Sequence, residues 1–143
     1  MLGPLAARRL DARIAHLPGD APWRPLDALG GEPDGSLQAV VAVGALCAAG
    51  DLDLAVATIR RVLAPGGELH FVEHVGRVGA LGALQRAAGR AWSAMPQGCH
   101  VEHDVPAALR RGGFVVDDLD RFSLPSVVPL LRPWVHGVAR SYA

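Results

Sequence analysis

The sequence predicts an α/β fold whose sheet is mainly parallel and closes with an antiparallel strand, and three observations predict it. Apolar runs suited to buried strands alternate with segments of helical period. A Pro65-Gly66-Gly67 turn joins a helix to a strand in the middle of the chain, and the last two strands follow one another with no helix between them.

Taken in order, Leu2 to Asp11 suits a short helix, and Arg13 to Leu17 a strand that ends at Pro18-Gly19-Asp20. The Gly/Pro/Asp-rich run from Leu29 to Gly35 reads as a surface loop. Gln38 to Val43 is continuously apolar after its first residue, as strands inside a parallel sheet are. Asp51, or Asp53, can cap the next helix, in which Leu54, Val56, Ile59, Val62 and Leu63 are spaced for one buried face. Proline stops that helix and the glycines allow the turn into a parallel strand from Glu68 to His74.

From Gly79 to Met95, the spacing of Leu81, Leu84, Ala88, Trp92 and Met95 predicts an amphipathic helix whose stripe faces the core or, as the alternative, a membrane or a partner. Asp104 is placed as an N-cap with Pro106 early enough in the helix to be tolerated, and Gly112-Gly113 ends that helix after Arg111. Phe114 to Leu119 and Trp134 to Arg140 are then the final strands, joined by a long connection from Pro125 to Pro133.

The 143 residues amount to one domain, long enough to bury a core and short for a complete seven-stranded dinucleotide-type fold. Fourteen basic residues, all arginine, balance fourteen acidic ones, so no electrostatic case for a nucleic-acid partner arises. No apolar stretch reaches the ~18 residues of a transmembrane helix and no signal-type region opens the chain, which leads us to expect a cytoplasmic protein. Cys47 and Cys99 are too few for a disulfide framework and are expected to be reduced.

Arg60-Arg61-Val62-Leu63-Ala64-Pro65-Gly66-Gly67 resembles the "RVLxPGG" segment before the fifth strand of class I S-adenosylmethionine-dependent methyltransferases. Upstream, Gly19-Asp20-Ala21 and Pro33-Asp34-Gly35-Ser36-Leu37-Gln38-Ala39-Val40-Val41, ending in Leu46-Cys47, are similar to the same family's "GDA…LPFxDGSFDxVV…LC" pattern. Downstream, Glu73-His74-Val75, Gly98-Cys99-His100, Gly113-Phe114 and Arg132-Pro133-Trp134-Val135-His136-Gly137-Val138-Ala139 resemble landmarks of the methyltransferase-like branch that includes alkyl-thiol S-methyltransferases. Quinone-biosynthesis C-methyltransferases look like wider relatives. The likeness runs from about Gly19 to Ala139, and Gln38 departs from it where the family usually has Asp.

The resemblance implies a Rossmann-like methyltransferase sheet, S-adenosylmethionine as cofactor, and methyl transfer to a small thiol or quinone-like acceptor. It places Asp20 and Ala21 against the adenine. Val43, Gly44 and Leu46, with Ala45 and Cys47, follow a strand at the carboxyl edge where open α/β sheets bind ligands. A thiolate acceptor needs alignment more than a base, but Glu73, His74 and His100 are the candidates near the strand end if a proton must be removed.

The family's Gly-rich turn after its first strand has no counterpart before Gly19, and Met1-Leu2 with Ala6-Ala7-Arg8-Arg9 looks like the helix after the family's second strand. The expectation is therefore a partial domain, 1–143, with the first strands missing. In the family's strand order this leaves Arg13 to Leu17 without neighbours and exposes an edge of Gln38 to Val43, an edge open to pairing. Such a chain would dimerise through that edge, pack its own amino-terminal segment into the gap, or take the missing part from a complementing chain. The alternative is a noncatalytic remnant acting as a binding or dimerisation module.

His70-Phe71-Val72-Glu73-His74 also fits H-x-x-E-H, a zinc-peptidase pattern, with Cys99, His100 and His103 as further ligands. That pattern needs a helix to bring both histidines to one face beside the glutamate. On a strand, positions 70 and 74 share a face and 73 points to the other, so no metal site is assigned.

Overall fold

In the computed structural model the described residues are 8, 23–74, 82–84, 87–88, 100, 103–123 and 133–142. Five strands and two helices are complete among them: β1 (Trp23–Pro25), β2 (Leu37–Val43), α1 (Leu52–Val62), β3 (Leu63–His74), α2 (Val105–Arg111), β4 (Phe114–Ser123) and β5 (Pro133–Ser141). The strands form one sheet in the order β1-β2-β3-β5-β4. The first three run parallel, and β5 lies antiparallel between β3 and β4. This is the mainly parallel sheet with an antiparallel carboxyl-terminal strand that the alternation of elements predicts.

Residues one apart on a strand face opposite sides. On one side Val40 and Ala42 of β2, Leu69 and Phe71 of β3, and Val135 and Ala139 of β5 pack against Leu52, Val56, Ile59 and Val62 of α1 and Val105, Ala108 and Leu109 of α2. The other side carries His70, His74 and His136, 1%, 2% and 4% exposed, so both faces are covered. An ion-pair ladder crosses that second face: Arg140 holds Glu68 of β3 at 3.0 Å and Asp117 of β4 at 2.6 Å, and His70 Nε2 meets Glu68 at 2.8 Å.

Asp51 is the N-cap of α1, its side chain accepting from the Leu54 amide at 2.9 Å. The buried stripe is Leu52, Val56, Ile59 and Val62, and Leu54 is 63% exposed. This corrects the sequence reading: Leu54 lies two residues from Val56, roughly 200° around the helix, while Leu52 sits one turn before Val56. Leu63 is buried but already belongs to β3. The Pro-Gly-Gly segment is a bulge within the edge of β3, where the pairing jumps from Leu37 with Leu63 to Ala39 with Glu68. Gly66 takes φ 77° there, a left-handed backbone suited to glycine.

Asp104 caps α2 by accepting from the Ala107 amide at 3.0 Å, Pro106 lies in its first turn, and Gly112 is its C-cap. The final strands exceed their predicted bounds, β4 reaching Ser123 and β5 spanning Pro133 to Ser141. The loop over Leu29–Gly35 is pinned to the end of α1, since Gly35 N donates to Arg61 O at 2.9 Å and Arg61 pairs with Asp34 at 2.5 Å. Strand β1 was not anticipated: Trp23, Arg24 and Pro25 pair with Ala39, Val40 and Val41, on the edge of β2 that the sequence left bare. The predicted strand Arg13–Leu17, the turn after it and the Pro125–Arg132 connection lie outside the described residues. So does most of two predicted helices, Leu2–Asp11, of which Arg8 is helical, and Gly79–Met95, of which 82–84 and 87–88 are helical.

Candidate functional site

Strands β2 and β3 run parallel to their last paired residues, Val43 and Val72, so their carboxyl ends stop side by side. There Gly44 turns the chain away from the sheet with φ 63°, and its amide donates to Val72 O at 2.9 Å. Among the described residues nothing lies within 4 Å of the position a Cβ would take at Gly44, so on their side the space beside this backbone is open. The loop Gly44–Cys47 is then held from below.

Glu73 does the holding. Following Leu69 and Phe71 in the two-residue period, it projects onto the helix-covered face, where it is wholly buried. Its Oε1 accepts from Leu46 N and its Oε2 from Cys47 N, both at 3.0 Å. Burial pushes this carboxyl up to about 7, opposed by hydrogen bonds from the Cys47, Leu46 and Ala45 amides and the Cys47 thiol. Leu46 and Cys47 are themselves fully buried, and the Cys47 thiol lies 3.5 Å from Gly44 O. Val43, Gly44 and Ala45 are half-buried.

His100 reaches the same loop. Its amide donates to Cys47 O at 2.6 Å, and its ring stacks on His103 with centroids 4.7 Å apart. His100 is half-buried. His74, next to Glu73, projects to the opposite face, where it is 2% exposed and meets the Trp134 ring edge-on at 5.6 Å. Because β5 is antiparallel, its first residues pair with the end of β3, which brings Trp134 to this end of the sheet.

Of the residues singled out from the sequence, Val43, Gly44, Leu46, Glu73, His74 and His100 therefore gather at one end of β2 and β3, with Leu46 turned into the core. Asp20 and Ala21, and the Cys99 of the zinc pattern, lie outside the described residues. The segment His70–His74 is a strand, with both histidines on one face and Glu73 on the other. Sequence reasoning missed Trp134 and the fastening part played by Glu73. An acid in the core-facing phase of a buried strand is itself a signal, because a buried carboxylate must find donors.

No protein-family model matches the chain. Over 108 residues it is 31% identical to the human thiol S-methyltransferase TMT1A, an alignment that takes in 74% of this chain and 44% of that protein. The chain thus spans less than half the length of this curated relative. Among solved structures, a proposed methyltransferase of Bacillus halodurans superposes with a TM-score of 0.70 at 15% identity, covering 99% of this chain and 100% of the other. An S-adenosylmethionine-dependent methyltransferase of Thermotoga maritima, suggested to act on histamine nitrogen, superposes with a TM-score of 0.62 at 15% identity, covering 96% and 89%.

Proposed function

The chain belongs to the class I S-adenosylmethionine-dependent methyltransferase family, and from that premise we propose that it takes part in methyl transfer from S-adenosylmethionine to a small cytoplasmic acceptor, a thiol or a quinone-like ring. The observation that carries this reading is the Gly44–Cys47 loop, fastened at the carboxyl ends of two adjacent parallel strands where folds of this kind receive ligands. The thiol preference follows the kinship with a thiol S-methyltransferase.

The residues at the loop fit the cofactor. The open space over Gly44 admits a flat group close to the backbone, flanked by the half-buried Val43 and Ala45. Asp20 and Ala21 would complete the adenine contacts, as the family likeness implies. When bound, S-adenosylmethionine supplies a methyl group already activated by a positively charged sulfur. The protein's own work is then to align the acceptor and keep water out.

Of the three candidate bases, His100 is the best placed to take a proton from an acceptor that arrives protonated, since it is half-exposed beside the loop while Glu73 and His74 are buried. We further propose that the sheet is extended, past the edge of β2 and β1, by a complementing chain or a second copy. A noncatalytic binding or dimerisation module is the second reading.

The test is calorimetric titration of S-adenosylmethionine and S-adenosylhomocysteine into the purified chain, followed by a methylation assay with alkyl thiols. Micromolar binding with thiol methylation is the expected result. Binding without turnover on any thiol or quinol would favour the module. Absence of binding by a folded sample would remove the cofactor from the reading of this chain alone.

A further inference from the structure

We propose that Glu73 is a positioning residue: it takes no proton from an acceptor but fixes the Gly44–Cys47 loop in the shape that receives the cofactor. This rests on the methyltransferase reading above and assigns the residue a different part from that of a base.

The loop is tied at three places. Gly44 N binds Val72 O at its start, His100 N binds Cys47 O at its end, and Glu73 takes the Leu46 and Cys47 amides between them. Of these three ties the Glu73 one is made by a side chain, so it can be cut by substitution. Next, both carboxylate oxygens are used and the residue is 0% exposed, which leaves it no face to an acceptor. Finally, the amides of Gly44, Leu46 and Cys47 all donate inward, so the loop meets a ligand with its apolar surface and not with these N–H groups.

A carboxylate suits the task because it offers two acceptor oxygens to two donors. A glutamine keeps the shape but turns an NH2 donor toward one of the amides, and a protonated carboxyl does the same with its O–H. The groups around Glu73 are the Cys47 thiol on the loop and, opposite it on β5, the apolar Val135. The His100–His103 pair lies beyond the Cys47 carbonyl, and His74 projects to the other face of β3. Burial, not a charged neighbour, is the largest cause of the raised carboxyl, which titrates near 7.

The experiment pairs two readouts on the full chain. Amide resonances of Leu46 and Cys47 are followed by NMR from about pH 5 to about pH 9, and S-adenosylhomocysteine affinity is measured at both ends for the wild type and for Glu73→Gln. The two amides are expected to shift together with a midpoint near 7. Affinity should fall about tenfold or more toward acid, the scale of one lost charge-assisted hydrogen bond. In Glu73→Gln both the shared titration and the pH dependence should vanish, with affinity weak throughout.

Leu46 and Cys47 amides that fail to titrate together would overturn the proposal, as would a Glu73→Gln protein that binds like the wild type. Should Glu73→Gln not fold, the wild-type amide titration and pH-dependent affinity decide alone. A wild type that binds no S-adenosylhomocysteine at any pH overturns the cofactor reading and with it the cofactor-positioning role, while the amide titration still reports whether Glu73 holds the loop.

Discussion

Gly44 and Glu73 make opposite demands on their surroundings, one for space and backbone freedom, the other for donors. In Gly44→Ala the new Cβ meets none of the described residues within 4 Å, so the cost comes from holding alanine at φ 63°, about 1 kcal/mol. The variant should fold with a slightly lower melting temperature and bind S-adenosylhomocysteine more weakly; unchanged affinity in calorimetry would place the ligand elsewhere. For Glu73 the carboxyl is raised from 4.5 to about 7, so between those values the folded chain holds more protons than the unfolded chain. Its contribution therefore makes the fold most stable at the acid end of that window. Stability is lost as pH rises toward 7 and is level above it, by at most about 3 kcal/mol. Denaturant midpoints that climb steadily from about pH 5 to about pH 7 in the wild type, more than in Glu73→Gln, would contradict this sign. The sequence made Glu73 visible as an acid near a strand end, but its partners are backbone amides 26 and 27 residues away, which no local pattern encodes.

At the scale of elements, α1 is fixed by a buried stripe and by its cap. Asp51→Ala removes the acceptor for the Leu54 amide and should cost about 1 kcal/mol. Thermal unfolding followed by circular dichroism checks it, and Asp53→Ala, whose side chain pairs with Arg111 at the surface, should cost less. Both aspartates were legible as capping candidates, and geometry chose between them. The caps at Asp51 and Asp104 and the strand centres at Val40 and Phe71 could be read from sequence because each rests on contacts within a few residues or on a simple period. Leu54 was misplaced because an apolar residue at a helix start fits more than one phase, and packing against α2 and the sheet selects Leu52. The three residues of β1 were unreadable for another reason: a strand so short, with a proline in it, has no period to detect.

Over the whole molecule the sheet is unevenly protected. Among the described residues, strand β3 is paired on both sides from Glu68 to Val72, by β2 and β5, while β2 meets three residues of β1 on its outer side. Amides of Leu37–Val43 that point to β1 should exchange with solvent faster than those that point to β3, by a decade or more, on the order of 1.4 kcal/mol of local stability. Uniform protection across β2 would mean that the outer edge is covered further, as a second copy or a complementing chain would do. The centre of the parallel sheet was legible because β2 is apolar from Ala39 to Val43 and β3 carries Leu69, Phe71 and Val72, whereas the way its edge is closed was not. The position of β5 carries a different consequence, one of timing. It is the last strand in chain order yet sits between two earlier ones, so during synthesis β3 and β4 both wait with a bare side until Pro133–Ser141 has left the ribosome. Assembly therefore follows translation: β1, β2 and β3 can pair as they emerge, but β4 cannot join the sheet before β5 does, and the nascent chain carries two bare strand edges until then.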